Sequence, residues 1–410
     1  MHSISPRPDR LDFECEASLH RWLRVAVVTE TYPPEINGVA GSIARVVDGL
    51  RARGHELQLI RPRQHRGDLA TVEAGFAEML LRGLPIPRYP ELKMGLPAKR
   101  ALLRRWSYER PDVVHLATEG PLGWSALQAA RKLHLPVVSE FRTNFHAYSQ
   151  HYGVGWLRSP LLAYLRKFHN QCDATLTPSP DLREELSRQR FERLHVVGRG
   201  VDTQRFRPER RSALLRAQWG LKESDTALLC VGRLAPEKNL LLLIDAYERL
   251  RREQPCSRLV LVGDGPMRDA LQARCPDAVF AGMQRGEELA AHYASADLFA
   301  FPSLTETFGN VVLEAMASGL PVVAFDYAAA AQLLADRQAG ALAPLGDPEA
   351  FCRTVVELGR LPLALRALGR QALQVAQGQS WARIVQQLET HYRAAMASRQ
   401  GAPVALPLPA

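Results

Sequence analysis

Residues 297–323 read DLFAFPSLTETFGNVVLEAMASGLPVV and contain two glutamates eight positions apart, Glu306 and Glu314. The apolar run 297–301 is typical of a buried parallel strand, and residues 309–318 have the pattern of a helix. Glu306 therefore lies in the turn at the carboxyl end of a strand, where open parallel sheets bind ligands. The free N–H groups at residues 308–311 would face an incoming phosphate.

The two glutamates have a simple alternative interpretation, because most glutamates are solvated surface residues. Glu314, however, stands alone among Val, Leu, Ala and Met. An ionised carboxylate in so apolar a setting needs a partner, and sugar hydroxyls would serve. The stretch is therefore a candidate site for a nucleotide sugar.

The composition is that of a globular protein of about two domains. The chain has 410 residues, with 46% hydrophobic and 23% charged residues. No apolar run reaches the roughly 18 residues that span a bilayer, and residues 1–21 are polar, so we expect neither a membrane anchor nor a signal peptide. The six cysteines form no C-x-x-C pair. This argues against a zinc site and predicts reduced thiols in the cytoplasm.

The net charge of +9 is compatible with nucleic acid, an anionic membrane surface or an anionic substrate as partner. The sequence has no zinc-finger spacing, no RNA-recognition aromatic signature and no basic-region heptads. We therefore expect no nucleic-acid partner.

Short apolar strands alternate with helical patterns in two series, which predicts an α/β protein with two parallel sheets. The predicted strands are residues 23–29, 56–60, 113–116, 137–141, 174–177 and 194–197 in the first series, and 227–231, 258–262, 279–281, 297–301 and 321–325 in the second. The predicted organisation is an N-terminal extension (1–21), a first domain (22–201), a linker with an entry helix (202–221), a second domain (222–378), an amphipathic C-terminal helix expected to cross back to the first domain (379–396), and a disordered tail (397–410).

Two cations follow the first strand of the second series. Arg233 and Lys238 are five positions apart beyond that strand end, where they could grip a diphosphate. Either residue alone could equally be a solvated loop cation. Gly263 follows the next strand, and Gly38 begins a helix after the first strand of the chain. The loop at Gly38 lacks the G-x-G-x-x-G spacing of a dinucleotide fold, which disfavours a hydride-transfer enzyme.

Polar and aromatic side chains are dense just after the strand at 137–141. Five of them could reach into a cleft between the domains: Arg142, Asn144, His146, Tyr148 and His151. A single histidine beside an apolar strand is more often structural, but five such groups on one loop favour a site.

With these elements in order, the chain resembles the fourth family of retaining glycosyltransferases, from about residue 23 to 392. The most specific element is the E-x7-E motif from Glu306 to Glu314. The resemblance implies the GT-B fold, in which two Rossmann-like domains with parallel sheets face each other across a donor cleft. It makes residues 22–201 the acceptor domain and residues 222–378 the nucleotide-sugar donor domain.

The resemblance also implies roles for individual residues. Glu306 would contact the donor sugar and Glu314 the nucleotide ribose, while Arg233 and Lys238 would hold the diphosphate. The other implied donor-binding residues are Gly38, Gly263, Thr307, Phe308, Gly309, Asn310 and Val311. Many relatives have histidine where Arg142 stands, so either Arg142 takes over as a charged contact or His146 reaches the site, and we favour Arg142.

The segments around residues 142–153 and 198–202 look most like bacterial GDP-mannose-dependent α-mannosyltransferases. This implies transfer of a hexose from a nucleotide diphosphate sugar to a lipid or polysaccharide acceptor, with mannose favoured as the hexose and GDP-mannose as the donor. The alternatives are a UDP-sugar-dependent glucosyl- or N-acetylglucosaminyltransferase, a non-catalytic nucleotide-sugar-binding protein, and a GT-B epimerase or phosphorylase. Because no D-x-D sequence occurs, we expect no metal requirement, and we expect no cofactor beyond the sugar donor.

Two basic segments, residues 88–110 and 155–169, could form amphipathic surfaces on anionic lipid. This predicts a peripheral position on the inner face of the cytoplasmic membrane. The alternative, helices packed on their own sheet with solvated arginines, is at least as well supported by the sequence.

Overall fold

A computed structural model describes residues 22–35, 37–65, 67–86, 89–142, 158–306, 308–336 and 338–400. Its first domain is built on an eight-stranded sheet, with a separate two-stranded hairpin. The strands are β1 (Arg24–Val28), β2 (Glu56–Pro62), β3 (Val72–Glu73), β4 (Phe76–Leu81), β5 (Gly83–Ile86), β6 (Tyr89–Gly95), β7 (Val113–Leu116), β8 (Val137–Glu140), β9 (Ala174–Thr177) and β10 (Leu194–Val196). The helices are α1 (Gly38–Ala52), α2 (Lys99–Tyr108), α3 (Pro121–Lys132), α4 (Arg158–His169) and α5 (Pro180–Arg188).

The order of this sheet is β10-β9-β8-β7-β1-β2-β4-β3, and all neighbours are parallel except β3 and β4. The central strand β1 reads RVAVV and is almost wholly buried between β2 and β7. After it, Asn37 caps α1 by accepting the Ala40 N–H through its side chain. Gly38, the first residue of α1, therefore lies at the carboxyl edge of the first sheet.

The second domain has a six-stranded parallel sheet in the order β13-β12-β11-β14-β15-β16. Its strands are β11 (Ala227–Val231), β12 (Arg258–Val262), β13 (Val279–Gly282), β14 (Leu298–Phe301), β15 (Val322–Phe325) and β16 (Gly340–Ala343). Its helices are α6 (Ala213–Gln218), α7 (Leu240–Glu253), α8 (Arg268–Arg274), α9 (Gly286–Ser295), α10 (Asn310–Ala317), α11 (Ala328–Leu333), α12 (Pro348–Gly359) and α13 (Pro362–Gln377).

The prediction of an α/β protein with two parallel sheets is confirmed, and every predicted strand coincides with an observed one to within two residues. The prediction was incomplete between residues 61 and 112, where it assigned no strand and the structure has β3 to β6. It also missed β16. Both omissions concern sheet margins or the hairpin, where apolar runs are short and partly exposed.

The last helix, α14 (Trp381–Gln400), packs on the first domain although it follows the second in sequence. Val385 lies against the backbone of Gly49 in α1, and the Tyr392 hydroxyl lies 2.5 Å from Nδ1 of His115 on β7. The helix extends four residues beyond the predicted end at 396. It therefore connects the end of the second domain to the core of the first.

In the part of the chain that the structure describes, no helix is long and apolar enough to cross a membrane. In α2, Leu102 and Trp106 are buried in the core of the first domain. Lys99, Arg100 and Arg104 of the same helix are exposed. The apolar face of α2 is thus occupied by its own sheet, and its basic face remains available.

Candidate active site

The turn between β14 and α10 places Glu306 at the carboxyl edge of the second sheet. Gly309 ends this turn with φ +96°, a left-handed conformation that favours glycine, and directly precedes α10. The side chain of Glu306 is only 16% exposed. Its backbone carbonyl accepts a hydrogen bond from the Tyr327 hydroxyl at 3.0 Å. The hydrogen bond from Tyr327 and the left-handed conformation of Gly309 therefore fix the backbone of the turn.

Lys238 meets Glu306 at this edge. It ends the short 3-10 turn Pro236–Lys238 that follows β11, the strand next to β14 in the sheet. The Lys238 ammonium contacts Oε1 of Glu306, and the Ser303 hydroxyl donates to the same oxygen at 2.9 Å. The ammonium also lies 5.4 Å from the centroid of the Phe301 ring. The carboxylate thus has the cationic partner that a partly buried charge requires.

Arg233 lies on the same loop, and its side chain is exposed. Its backbone carbonyl accepts the Ala235 N–H at 3.0 Å, but its guanidinium makes no hydrogen bond or ion pair with any described residue and is free to bind a ligand. The loop that carries it packs directly on the loop after β12. There Gly263 has φ +134°, and a Cβ atom at this position would lie 1.9 Å from the carbonyl oxygen of Gly232. Gly263 therefore allows the two loop backbones to touch.

Glu314 lies just over one turn along α10, in a more apolar setting. The Tyr293 hydroxyl donates a hydrogen bond to its Oε2 at 2.9 Å. Burial raises the pKa of the Glu314 carboxyl, while the hydrogen bond from Tyr293 and the positive charge of Arg205 act in the opposite direction. The second glutamate of the motif thus has a neutral hydroxyl as partner, unlike Glu306.

The first domain reaches this edge through α1. A Cβ atom on Gly38 would lie 3.6 Å from Nδ2 of Asn310, the first residue of α10. The amino ends of α1 and α10 therefore face each other across the two domains. Both ends carry free N–H groups and the positive end of a helix dipole, an arrangement that suits a phosphate group.

Of the remaining predicted donor-binding residues, Phe308 is buried and its carbonyl accepts the Ala329 N–H at 2.9 Å. Val311 is partly buried in the first turn of α10. Thr307 and His146 lie outside the described residues. Among the described residues there is no group of three or more His, Cys, Asp or Glu side chains arranged to hold a metal ion.

Two family models match the chain: "Glycosyltransferase Family 4" over residues 36–205 and "Glycosyl transferases group 1" over residues 225–360. A GDP-mannose-dependent alpha-mannosyltransferase of Mycobacterium tuberculosis is 37% identical over 390 residues, which cover 92% of this chain and 98% of the relative. The chain belongs to glycosyltransferase family 4. The family resemblance of the E-x7-E motif and its neighbouring segments is thereby confirmed.

One further relative of this family 4 glycosyltransferase and one solved structure of similar fold are informative. A GDP-mannose-dependent alpha-(1-6)-phosphatidylinositol monomannoside mannosyltransferase of Mycolicibacterium smegmatis is 29% identical, covering 84% of this chain and 91% of the relative. The solved structure of sucrose-phosphate synthase from Thermosynechococcus elongatus superposes with a TM-score of 0.74 at 19% identity, covering 92% of this chain and all of the other. The likeness in structure confirms the GT-B fold.

The structure places Arg142 in a buried ionic cluster of the first domain. Its guanidinium lies 2.6 Å from Glu140 Oε2 and donates to the Ser42 hydroxyl at 2.7 Å. Arg199 donates to the same oxygen of Glu140 at 2.7 Å, and His115 lies 2.9 Å from its other oxygen. Burial and the nearby charge of Arg199 lower the pKa of Arg142 to about 10, while Glu140 opposes this change.

These contacts bear on the prediction that Arg142 of the glycosyltransferase contacts the donor sugar. The guanidinium is 5% exposed and is held by groups of its own domain. Direct contact of Arg142 with the donor sugar therefore stays a prediction, and so does the alternative contact from His146.

Sequence reasoning missed three residues around the two glutamates: Ser303, Tyr293 and Tyr327. Ser303 was visible in the quoted stretch, three positions before Glu306. Tyr293 lies in the helix before β14 and Tyr327 follows β15, so only the sheet topology brings them near the glutamates. No sequence pattern distinguished either tyrosine from an ordinary core residue.

Proposed function

We propose that this glycosyltransferase transfers an α-mannosyl residue, with retention of configuration, from GDP-mannose to a lipid or glycan acceptor. The observation that carries the proposal is the ion pair between Lys238 and Glu306, which lies at the edge of the second sheet that faces Gly38 of the first domain. The choice of GDP-mannose rests on the likeness to the GDP-mannose-dependent relative, at 37% identity over nearly the whole chain.

In this proposal the diphosphate binds between the amino ends of α1 and α10. Arg233 offers a free planar guanidinium for two phosphate oxygens, and Lys238 adds a compact charge. Glu306 accepts hydroxyl groups of the sugar, and Glu314 accepts those of the ribose. The acceptor hydroxyl attacks the anomeric carbon on the face that the diphosphate leaves and passes its proton to the departing phosphate oxygen, while Arg233 and Lys238 stabilise the charge on the leaving group.

The decisive experiment compares Glu306→Ala with the wild type in a radiochemical assay that uses GDP-[14C]mannose and a lipid extract as acceptor. Glu248→Gln is the matched control, because Glu248 is also paired with a cation, Arg274, but on the surface of the same domain. We expect Glu306→Ala to abolish transfer and Glu248→Gln to retain it. Full activity of Glu306→Ala would refute the assignment of Glu306.

The donor is tested by thermal shift with GDP-mannose, UDP-glucose and UDP-N-acetylglucosamine. Stabilisation by GDP-mannose alone is expected, since a ligand that binds only the folded state raises the Tm. A shift with a uridine nucleotide and none with GDP-mannose would replace mannose by the UDP-sugar alternative. Transfer should also survive a chelator, and loss of turnover with EDTA that Mg²⁺ restores would overturn metal independence.

We further propose that the enzyme acts at the inner face of the cytoplasmic membrane, where the basic face of α2 meets anionic lipid. Lys99, Arg100 and Arg104 are exposed on this face, and each cation near an anionic surface contributes about 1 kcal/mol. One relative named above acts, by its name, on a phosphatidylinositol monomannoside, which supports a lipid acceptor.

The membrane proposal is tested by sedimentation with anionic and neutral vesicles. Reversal of the three α2 charges to glutamate should abolish a preference for anionic vesicles. The control variant reverses Arg366 and Arg370, two exposed arginines one turn apart on α13 of the donor domain. No preference of the wild type for anionic vesicles, or equal losses in both variants, would contradict the proposal.

A further inference from the structure

Tyr293 packs in the core as a phenylalanine would, and only its hydroxyl group gives it a further role. The ring is completely buried, and it packs edge-on against Phe206 of the linker with centroids 5.6 Å apart. Phe299 of β14 lies against it at 5.9 Å. These two contacts fix the ring, so the direction of the hydroxyl is set by the protein core and not by solvent.

The hydroxyl of Tyr293 contacts Glu314. It donates to Oε2 at 2.9 Å, and Oε1 of the same carboxylate accepts no hydrogen bond from the described residues. One oxygen is therefore held by the protein while the other is left for a ligand. A buried phenol with a single carboxylate acceptor is costly unless the bond is made, so the contact constrains both groups.

We infer that Tyr293 is a positioning residue that orients Glu314 toward the hydroxyl groups of a nucleoside diphosphate ribose. The inference rests on the proposed role of Glu314, and it adds how that carboxylate is held. A free carboxylate on a helix would sample several rotamers, and the hydrogen bond from a rigid ring selects one of them before the nucleotide arrives.

The test measures ribose selectivity, because a purely structural tyrosine would not affect it. Binding of GDP and of 2′,3′-dideoxy-GDP is measured by calorimetry for the wild type, Tyr293→Phe and Tyr247→Phe. Tyr247 is the matched control, since it is a fully buried tyrosine of the same domain whose hydroxyl donates to the Ser257 carbonyl at 3.3 Å. Each substitution removes one oxygen atom and leaves the ring packing in place.

We expect Tyr293→Phe to weaken GDP binding about tenfold, because a hydrogen bond to a charged group is lost from the ribose site. Binding of dideoxy-GDP should change less than about twofold, since it lacks the hydroxyls that Glu314 accepts. Tyr247→Phe should leave both affinities unchanged. In turnover, Tyr293→Phe should raise the KM for GDP-mannose with little change in kcat, as expected for an interaction made equally in the ground and transition states.

Two further readouts separate positioning from simple destabilisation. In a Glu314→Ala background, Tyr293→Phe should have no additional effect on GDP affinity, because the two residues act as one unit. Without the phenol the carboxyl also loses a group that lowers its pKa, so GDP affinity should begin to fall at a higher pH than in the wild type.

Equal losses of GDP and dideoxy-GDP affinity in Tyr293→Phe, or no loss of either, would overturn the inference. If the wild type binds UDP and not GDP, the proposed donor is wrong, and the same comparison is made with UDP and 2′,3′-dideoxy-UDP. The two failures are therefore distinguishable.

Discussion

Substitution of Gly263 by alanine should disrupt the donor site through its backbone. Gly263 has φ +134°, outside the regions that residues with a Cβ adopt readily. The added Cβ would lie 1.9 Å from the Gly232 carbonyl oxygen, which is backbone and has no rotamer to escape into. The loops after β11 and β12 must therefore separate, and the first of them carries Arg233 and Lys238.

The cost of this substitution has two parts. Holding alanine in a disfavoured backbone region costs about 1–3 kcal/mol, and displacing packed backbone costs about 1–3 kcal/mol more. A central value of about 4 kcal/mol corresponds to a fall in Tm of about 8–16 °C for a domain of this size. The same displacement should raise the KM for the sugar donor, because Arg233 and Lys238, the proposed diphosphate contacts, are on the displaced loop.

Two glycine controls isolate the clash. Gly286 also has a positive φ, +54°, but nothing lies within 4 Å of its added Cβ, so Gly286→Ala should cost only about 1–2 kcal/mol. Gly41, within α1, has neither strain nor neighbours, so Gly41→Ala should be neutral or stabilising by up to about 1 kcal/mol. Tm and donor KM are measured for all three. If Gly263→Ala melts within 2 °C of Gly286→Ala, as expected for strain without a clash, the reasoning fails.

Three other predictions follow from single contacts. Lys238→Met should lower kcat/KM about 10²–10³-fold in the radiochemical assay, because it removes the charge that the proposed mechanism assigns to the leaving group, and it should also lower the Tm, because the partly buried Glu306 loses its cationic partner. Burial and the adjacent ring of His195 lower the pKa of His391 from 6.5 to about 4. The unfolded chain therefore binds the proton more readily than the folded chain, and the free energy of unfolding falls as the pH falls from 6.5 toward 4. His391→Gln should make the urea midpoint less dependent on pH in this range. Gly49→Ala would place its Cβ 2.6 Å from Val385 of α14 and should cost about 1–3 kcal/mol in urea unfolding, most of which Gly49→Ala/Val385→Ala should restore.

The parts of the fold that could be predicted are those in which a local pattern has one interpretation. Short apolar runs, such as β11 and the last four residues of β12, are buried on both faces, and a glycine directly follows each. The region of β3 to β6 lacks such runs, because β3 is exposed and β4 is only partly buried. Its strands exist because β4 pairs with β2, a contact between segments about 20 residues apart that no local pattern encodes.

The candidate site likewise has residues that a local pattern identifies and residues that only the tertiary fold brings together. Glu306 and Glu314 were identifiable because both lie in one strand-turn-helix stretch. Their contact groups are distant in sequence: Lys238 is 68 residues from Glu306, and Tyr293 is 21 from Glu314. For Arg142 the decisive partner, Glu140, is only two residues away, but a strand would place the two side chains on the same face whether or not they are buried. Burial with Arg199 follows from the tertiary fold alone.

Glu306 and Glu314 are both shielded from solvent, and each is stabilised by a different kind of partner. The difference bears on turnover. Glu306 is neutralised by Lys238, the cation that the proposed mechanism assigns to the diphosphate, whereas Glu314 is held by an uncharged phenol. In the proposed mechanism, we expect donor binding to draw the Lys238 ammonium toward the phosphates, so that Glu306 accepts sugar hydroxyls in its place. In this exchange the lysine is paired in both states, and the sugar hydroxyls replace the ammonium as partners of the partly buried Glu306. Glu314 needs no such exchange, because its phenol partner can stay in place when the ribose binds. We therefore expect the pair Lys238–Glu306 to respond to the diphosphate and the pair Tyr293–Glu314 to remain fixed throughout the cycle.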